Sequence, residues 1–276
     1  MLSTAMGAAA SVMVATIDPS AWTQSSSIAW PGSSHAVMVM KPSELWRASS
    51  CEQGRHQALQ PKQPQYSFKL GEFCEQLVVL MNLDGGVKGG EIARWFLAHH
   101  ESFHLAAQMY GSKVPIRFLE IDQGLVSDHA QGEYFSDLYS EIDLITDRIL
   151  GGHPADCASL ERSLSSLSDR SREYLEYKIF WEWPAEFYAQ QIMFPGRFAE
   201  YKDFRQNIFV TGDSGSELFL AGVKTGLALD VLAEREAWQR EVSEGWSMFD
   251  LLLSHCGCDG RDPGPTVRMR RVDLGT

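Results

Sequence analysis

WFLAHHESFHLAAQMY, residues 95–110, contains His100-Glu101-Ser102-Phe103-His104, which has the form HExxH. On an α-helix, residues four apart lie one turn up on the same face. The imidazoles of His100 and His104 can therefore converge on one metal ion while Glu101 stands beside an open coordination position. Zinc suits two neutral imidazoles and a carboxylate, and a water in its remaining position has a pKa lowered to about 7. Glu101 is then the candidate general base. The surroundings predict a helix: Ile92, Phe96, His100 and Leu105 recur at roughly helical spacing, Ala93, Ala98, Ala106 and Ala107 favour it, and Gly111 can end it. His99 is adjacent but turned about 100° away.

Two histidines call for an anionic third ligand, and carboxylates at helical spacing occur in EYLEYKIFWEWPAEFYAQQIMFP, residues 173–195. Glu182, Ala185, Glu186 and Ala189 lie at i, i+3, i+4 and i+7, on one helical face, where the two alanines permit close approach of another helix. Glu182 and Glu186 both remain candidates on spacing. Pro184 is expected either to kink a continuous helix or to mark the first turn of a new one.

These two blocks carry a family resemblance. Phe96-Leu97-Ala98-His99-His100-Glu101-Ser102-Phe103-His104, followed by Glu182-Trp183-Pro184-Ala185-Glu186-Phe187-Tyr188-Ala189-Gln190-Gln191-Ile192-Met193-Phe194-Pro195, resembles the ImmA/IrrE-type metallopeptidase-like family of the gluzincins. The family pairs an HExxH helix with a segment of the form E-x-x-A-x-x-F-A-x-x-L-L-M-P. The resemblance implies a zincin fold with His100 and His104 as zinc ligands, Glu101 as general base and Glu182 as third ligand.

The chain has 276 residues, enough for a sizeable core, and its 36 acidic against 24 basic residues leave a net charge of −12. That balance argues against unspecific binding to nucleic acid or anionic membranes and favours a neutral or basic ligand. Cys51, Cys74, Cys157, Cys256 and Cys258 form an odd, sparse set, unlike a secreted disulfide framework. The expectation is a cytoplasmic protein with structural or incidental thiols. Cys256-x-Cys258 lacks the spacing and the second pair of a zinc knuckle. The first 24 residues lack the basic start of a signal peptide and read as an extension, and no apolar run of membrane-spanning length occurs.

The chain is expected to comprise a partly irregular extension over 1–64 with one strand-like patch at His35 to Met40, one zincin-like metal-binding domain over 65–258, and a flexible tail over 259–276. Leu77-Val78-Val79-Leu80-Met81 reads as a strand, followed by a glycine-rich turn that lacks the spacing of a phosphate loop. Val114, Ile116 and Phe118 suggest a second short strand. Phe135, Leu138, Ile142, Ile145 and Ile149 alternate at intervals of three and four, as on an amphipathic helix. Its Glu133, Asp137, Glu141 and Asp143 form a solvated face from which one carboxylate could approach the metal. Ser159 to Ser168 reads as a connection or short helix, and Leu220, Val223, Leu227 and Val231 as a further core helix. The expected fold is α+β: a mainly helical zincin-like domain with a small β-sheet packed on the HExxH helix.

Three functions fit these readings. The first is a zinc-dependent, peptidase-like hydrolase acting on a peptide or small-molecule amide or ester, with Glu101 moving the proton. The second keeps the ligands but holds Fe(II), as in two-histidine, one-carboxylate oxygenases and tailoring enzymes. The third is a non-catalytic binding or regulatory module using the aromatics of residues 174–188 as a groove.

Overall fold

In the computed structural model the HExxH stretch is helical, as its spacing predicts. The structure describes residues 90–109, 113–121, 124–125, 135–208 and 215–256, and beyond them only the backbone of short strand segments. Apart from such strand segments, the extension over 1–64 and the tail over 259–276 lie outside the described residues, as do Cys51, Cys74, Gly111, Glu133 and Cys258. Among those residues the architecture is predominantly helical, and no helix is long and apolar enough to cross a membrane.

The chain divides into two units: residues 1–111 with 188–209, and residues 112–187 with 210–276. In the first, α1 (Gly90–Phe103) continues into a π-helical turn, His104–Met109. Ala93, Phe96, His100, Phe103 and Ala107 are buried at intervals of three and four. This stripe differs from the one expected, because Ile92 is exposed. Phe96 packs on Phe194, Tyr201 and Phe204, with ring centroids 6.2, 5.8 and 5.1 Å apart, and Phe103 lies 5.2 Å from Tyr188. The chain reaches these partners by a turn over 194–197, closed by Arg197 N–H donating to Phe194 O at 3.0 Å. Pro195 occupies its second position and Gly196, with φ 67°, its third, where the left-handed region favours glycine.

In the second unit, Val114–Pro115 is extended but Ile116–Leu119 forms a helical turn, α2, so the expected strand stops at Pro115. Phe118 faces inward with Val114 and Phe180, and Tyr177 and Trp181 pack against them. The amphipathic segment is α3 (Ser136–Leu150), with Leu138, Ile142, Ile145 and Ile149 buried as predicted. The serine-rich stretch is a helix, α4 (Ala158–Ser166). The carboxylate-bearing segment is one uninterrupted helix, α5 (Asp169–Met193), which runs on through Pro184. The division between the units falls within it, after Phe187.

Helices α6 (Phe198–Asp203, in the first unit), α7 (Gly215–Leu232), α8 (Arg235–Ser243) and α9 (Met248–His255) complete the described chain. On α7, Leu220 and Val223 are buried as expected, but Val231 is exposed. Gly222 and Gly226 of α7 receive Trp183 and Phe187 of α5, and a Cβ at either glycine would lie within 2.6 Å of a ring carbon. Equal spacing of two glycines and two aromatics lets the helices nest side by side. Phe187 also packs on Trp238 of α8, and Trp183 on Phe249 of α9. Ser247 caps α9, accepting from Asp250 N–H at 3.0 Å.

An ion-pair cluster and a covalent link tie this unit together. Lys224, buried on α7, reaches Asp143 and Asp147 of α3 at 2.5 and 2.6 Å. Cys157 and Cys256, 99 positions apart, form a disulfide with a Cα–Cα distance of 5.8 Å, within the usual range. Neither cysteine is an incidental thiol. Their pairing escapes a reading of spacing because it depends on where α4 and α9 lie.

Candidate metal centre

The last turn of α1 and the first residue of the π-helical turn carry the site. His100 and Glu101 are buried and His104 is partly buried, so the three side chains converge in protected surroundings. One ligand atom from each lies within 4.8 Å of the others, and this group could hold a metal ion. The imidazole rings meet edge to face, with centroids 4.8 Å apart and the two Nε2 atoms 3.1 Å apart. With Zn–N bonds of about 2.0–2.1 Å, two nitrogens at that separation subtend an angle of about 100° at the metal. That is close to the tetrahedral value, so the separation of the two nitrogens suits zinc.

The outer nitrogen of His104 also fits. His104 Nδ1–H donates to Gln108 Oε1 at 2.5 Å, and Gln108 is buried. A ligating histidine typically donates its other ring N–H to an oxygen, which fixes the tautomer and frees the opposite nitrogen to bind metal. Here the freed nitrogen is Nε2, the atom facing His100. Gln108 is absent from the HExxH pattern, but its position four residues after His104 is a signal that would have found it.

His99 is also buried, and its Nδ1 makes no hydrogen bond among the described residues. Burial pushes its pKa down to about 4, so its imidazole is neutral. It is not a member of the ligand group.

The carboxylates on α5 lie in different surroundings. Glu182 is partly exposed and accepts from Lys178 Nζ at 2.9 Å, one turn before it. Glu186 is wholly buried, flanked by Ala185 and Ala189, which are also wholly buried. A carboxylate at that depth is held by a cation or by hydrogen-bond donors. The group drawn together among the described residues is His100, Glu101 and His104, without Glu182 or Glu186. The α3 carboxylates have other partners: Asp143 pairs with Lys224, and Glu141 accepts from Ser163 Oγ at 2.5 Å. Compared with known proteins, the chain matches no family model, no curated protein and no solved structure.

Proposed function

We propose that the chain is a zinc-dependent hydrolase of the zincin group, similar to the gluzincins, acting on an amide or ester bond of a peptide or small molecule. The observation that carries this reading is the 3.1 Å approach of the two Nε2 atoms, with the Glu101 carboxylate in the same group. His100 and His104 would hold the metal, with Glu182 as third ligand, as the resemblance to the gluzincins implies. Zinc bound there supplies a Lewis acid and a water acidified to near neutrality. Glu101 takes the proton of the attacking water on its carboxylate and returns it to the leaving group.

The finer features of the reading have their own support. A small sheet packed on α1 belongs to the same reading; the backbone of Phe68–Phe73 and Gln76–Met81 follows an antiparallel register with Phe68 opposite Met81. The net charge of −12 supports a substrate that is neither nucleic acid nor an anionic lipid surface. Cytoplasmic placement rests on the sparse, odd cysteines; the Cys157–Cys256 disulfide weighs against it, and recovery of that pair as free thiols from rapidly quenched cells is the result the placement requires.

Elemental analysis of the purified full chain tests the proposal, with His100→Ala, Glu182→Ala and Glu186→Ala measured in parallel. The expected result is about one zinc per chain, lost in His100→Ala and Glu182→Ala. Zinc retained in Glu182→Ala but lost in Glu186→Ala would move the third ligand to Glu186. Iron in place of zinc would redirect the chemistry to oxygen-dependent reactions. A wild type that takes up no metal would end the proposal.

A further inference from the structure

The π-helical turn His104–Met109 begins at the second histidine of the motif and contains Gln108. Such turns are rare, and they occur frequently at functional sites. Here the turn carries a hydrogen bond between two side chains, from His104 Nδ1 to Gln108 Oε1. Gln108 is only 2% exposed, so water competes little for its amide.

We infer that Gln108 is a positioning residue for the metal site: by accepting the Nδ1 proton of His104 it holds that imidazole in the tautomer whose Nε2 lone pair faces His100. The inference rests on the metal-binding reading and assigns a further residue to the same site.

A neutral imidazole carries one proton on either nitrogen. If it sat on Nε2, the atom 3.1 Å from His100 Nε2, His104 could not ligate without losing it. Gln108 Oε1 removes that option. An amide accepts the proton without drawing it away, whereas a carboxylate in its place would make the imidazole more basic and a stronger ligand. Glutamine therefore fixes the tautomer, and would leave a bound metal with a less basic imidazole than a carboxylate in its place would. The sign of a substitution follows. Gln108→Met keeps the length of the side chain but removes the acceptor. Gln108→Glu keeps an acceptor and adds charge.

The test uses the full chain and two readouts. Zinc affinity is measured by competition with a chromophoric chelator for wild type, Gln108→Met and Gln108→Glu. Outer-shell partners of ligating histidines are worth about 10–100-fold in metal affinity, so Gln108→Met should bind zinc about 10–100-fold more weakly. Gln108→Glu should bind at least as tightly as wild type, a rescue that a merely space-filling role would not produce. The second readout needs no metal. Long-range 1H–15N spectra of the metal-free protein at mildly alkaline pH should show His104 as the Nδ1–H tautomer in wild type, lost in Gln108→Met.

Wild-type affinity in Gln108→Met, or an Nε2–H tautomer for His104 in wild type, would overturn the role of Gln108 and leave the metal reading intact. A wild type that binds no zinc would overturn both. If Gln108→Met does not fold, weaker zinc binding by Gln108→Glu than by wild type would equally overturn the inference.

Discussion

Replacing Gly226 by alanine sets two effects of opposite sign against each other, and the structure decides which prevails. Alanine in a helix interior is favoured over glycine by about 1 kcal/mol. At Gly226, however, a Cβ would lie 2.3, 2.6 and 2.7 Å from Cδ2, Cε2 and Cγ of Phe187, where ordinary contacts begin near 3.4 Å. The ring has nowhere to retreat: Phe187 is 1% exposed, with the Trp238 ring 5.4 Å away and the Arg235 guanidinium 5.9 Å from its centroid. Overpacking costs about 1–3 kcal/mol, and an overlap of this size on a caged ring belongs at the upper end. The net expectation is destabilisation by about 2 kcal/mol. Urea unfolding of wild type and Gly226→Ala, with unchanged slope and a lower midpoint, measures it. The companion experiment repeats the substitution in a Phe187→Ala background, which removes Cγ and the ring. There the overlap is relieved, and alanine should be neutral or stabilising. A Gly226→Ala protein as stable as wild type, or the same loss in both backgrounds, would refute the nesting of Phe187 over Gly226.

Glu101→Gln should keep the wild-type zinc content while lowering hydrolysis by about 10²–10⁴-fold, the usual worth of a positioned proton carrier; full activity in this variant would remove Glu101 from the mechanism. The Cys157–Cys256 disulfide closes a loop across 99 positions, for which the chain-entropy estimate is about 4.7 kcal/mol at most. Unfolding with and without reductant should show a loss approaching that figure, and a Cys157→Ala/Cys256→Ala variant should be indifferent to reductant. Burial acts to lower the pKa of Lys178, but the Glu182 carboxylate outweighs it and holds the ammonium above its ordinary range. A folded-state pKa above the unfolded value of about 10.4 makes this contribution complete below that pH and lost as pH climbs through the folded value. The stability difference between wild type and Lys178→Met should therefore shrink above about pH 10.4, as read from denaturation midpoints; a difference that grew there would mean the pair is not ionic.

The cysteines and the α3 carboxylates show where linear reasoning misplaced its emphasis. Cys256 invites comparison with Cys258 because they are two positions apart, yet its partner is Cys157. Asp143 reads as part of a solvated face, and it is indeed half-exposed, but its inner oxygen belongs to Lys224, 81 positions away. Pro184 signals a break, and the helix nonetheless continues through it, with Pro184 and its neighbours Trp183 and Ala185 buried. Tertiary packing can outweigh the roughly 3 kcal/mol a proline costs a helix interior.

The sequence by itself determined what depends on separations of one or two turns. The convergence of His100 and His104 follows from a four-residue spacing on a helix, and the buried stripe of Leu138, Ile142, Ile145 and Ile149 follows from intervals of three and four. Gln108 was within reach of the same rule. The tertiary structure alone decided which aromatic rests over which glycine, which carboxylates Lys224 neutralises, and which cysteines join. The physical reason is that backbone geometry carries local order along a helix, whereas contacts between helices depend on the packing of every side chain between them, and no spacing along the chain encodes that.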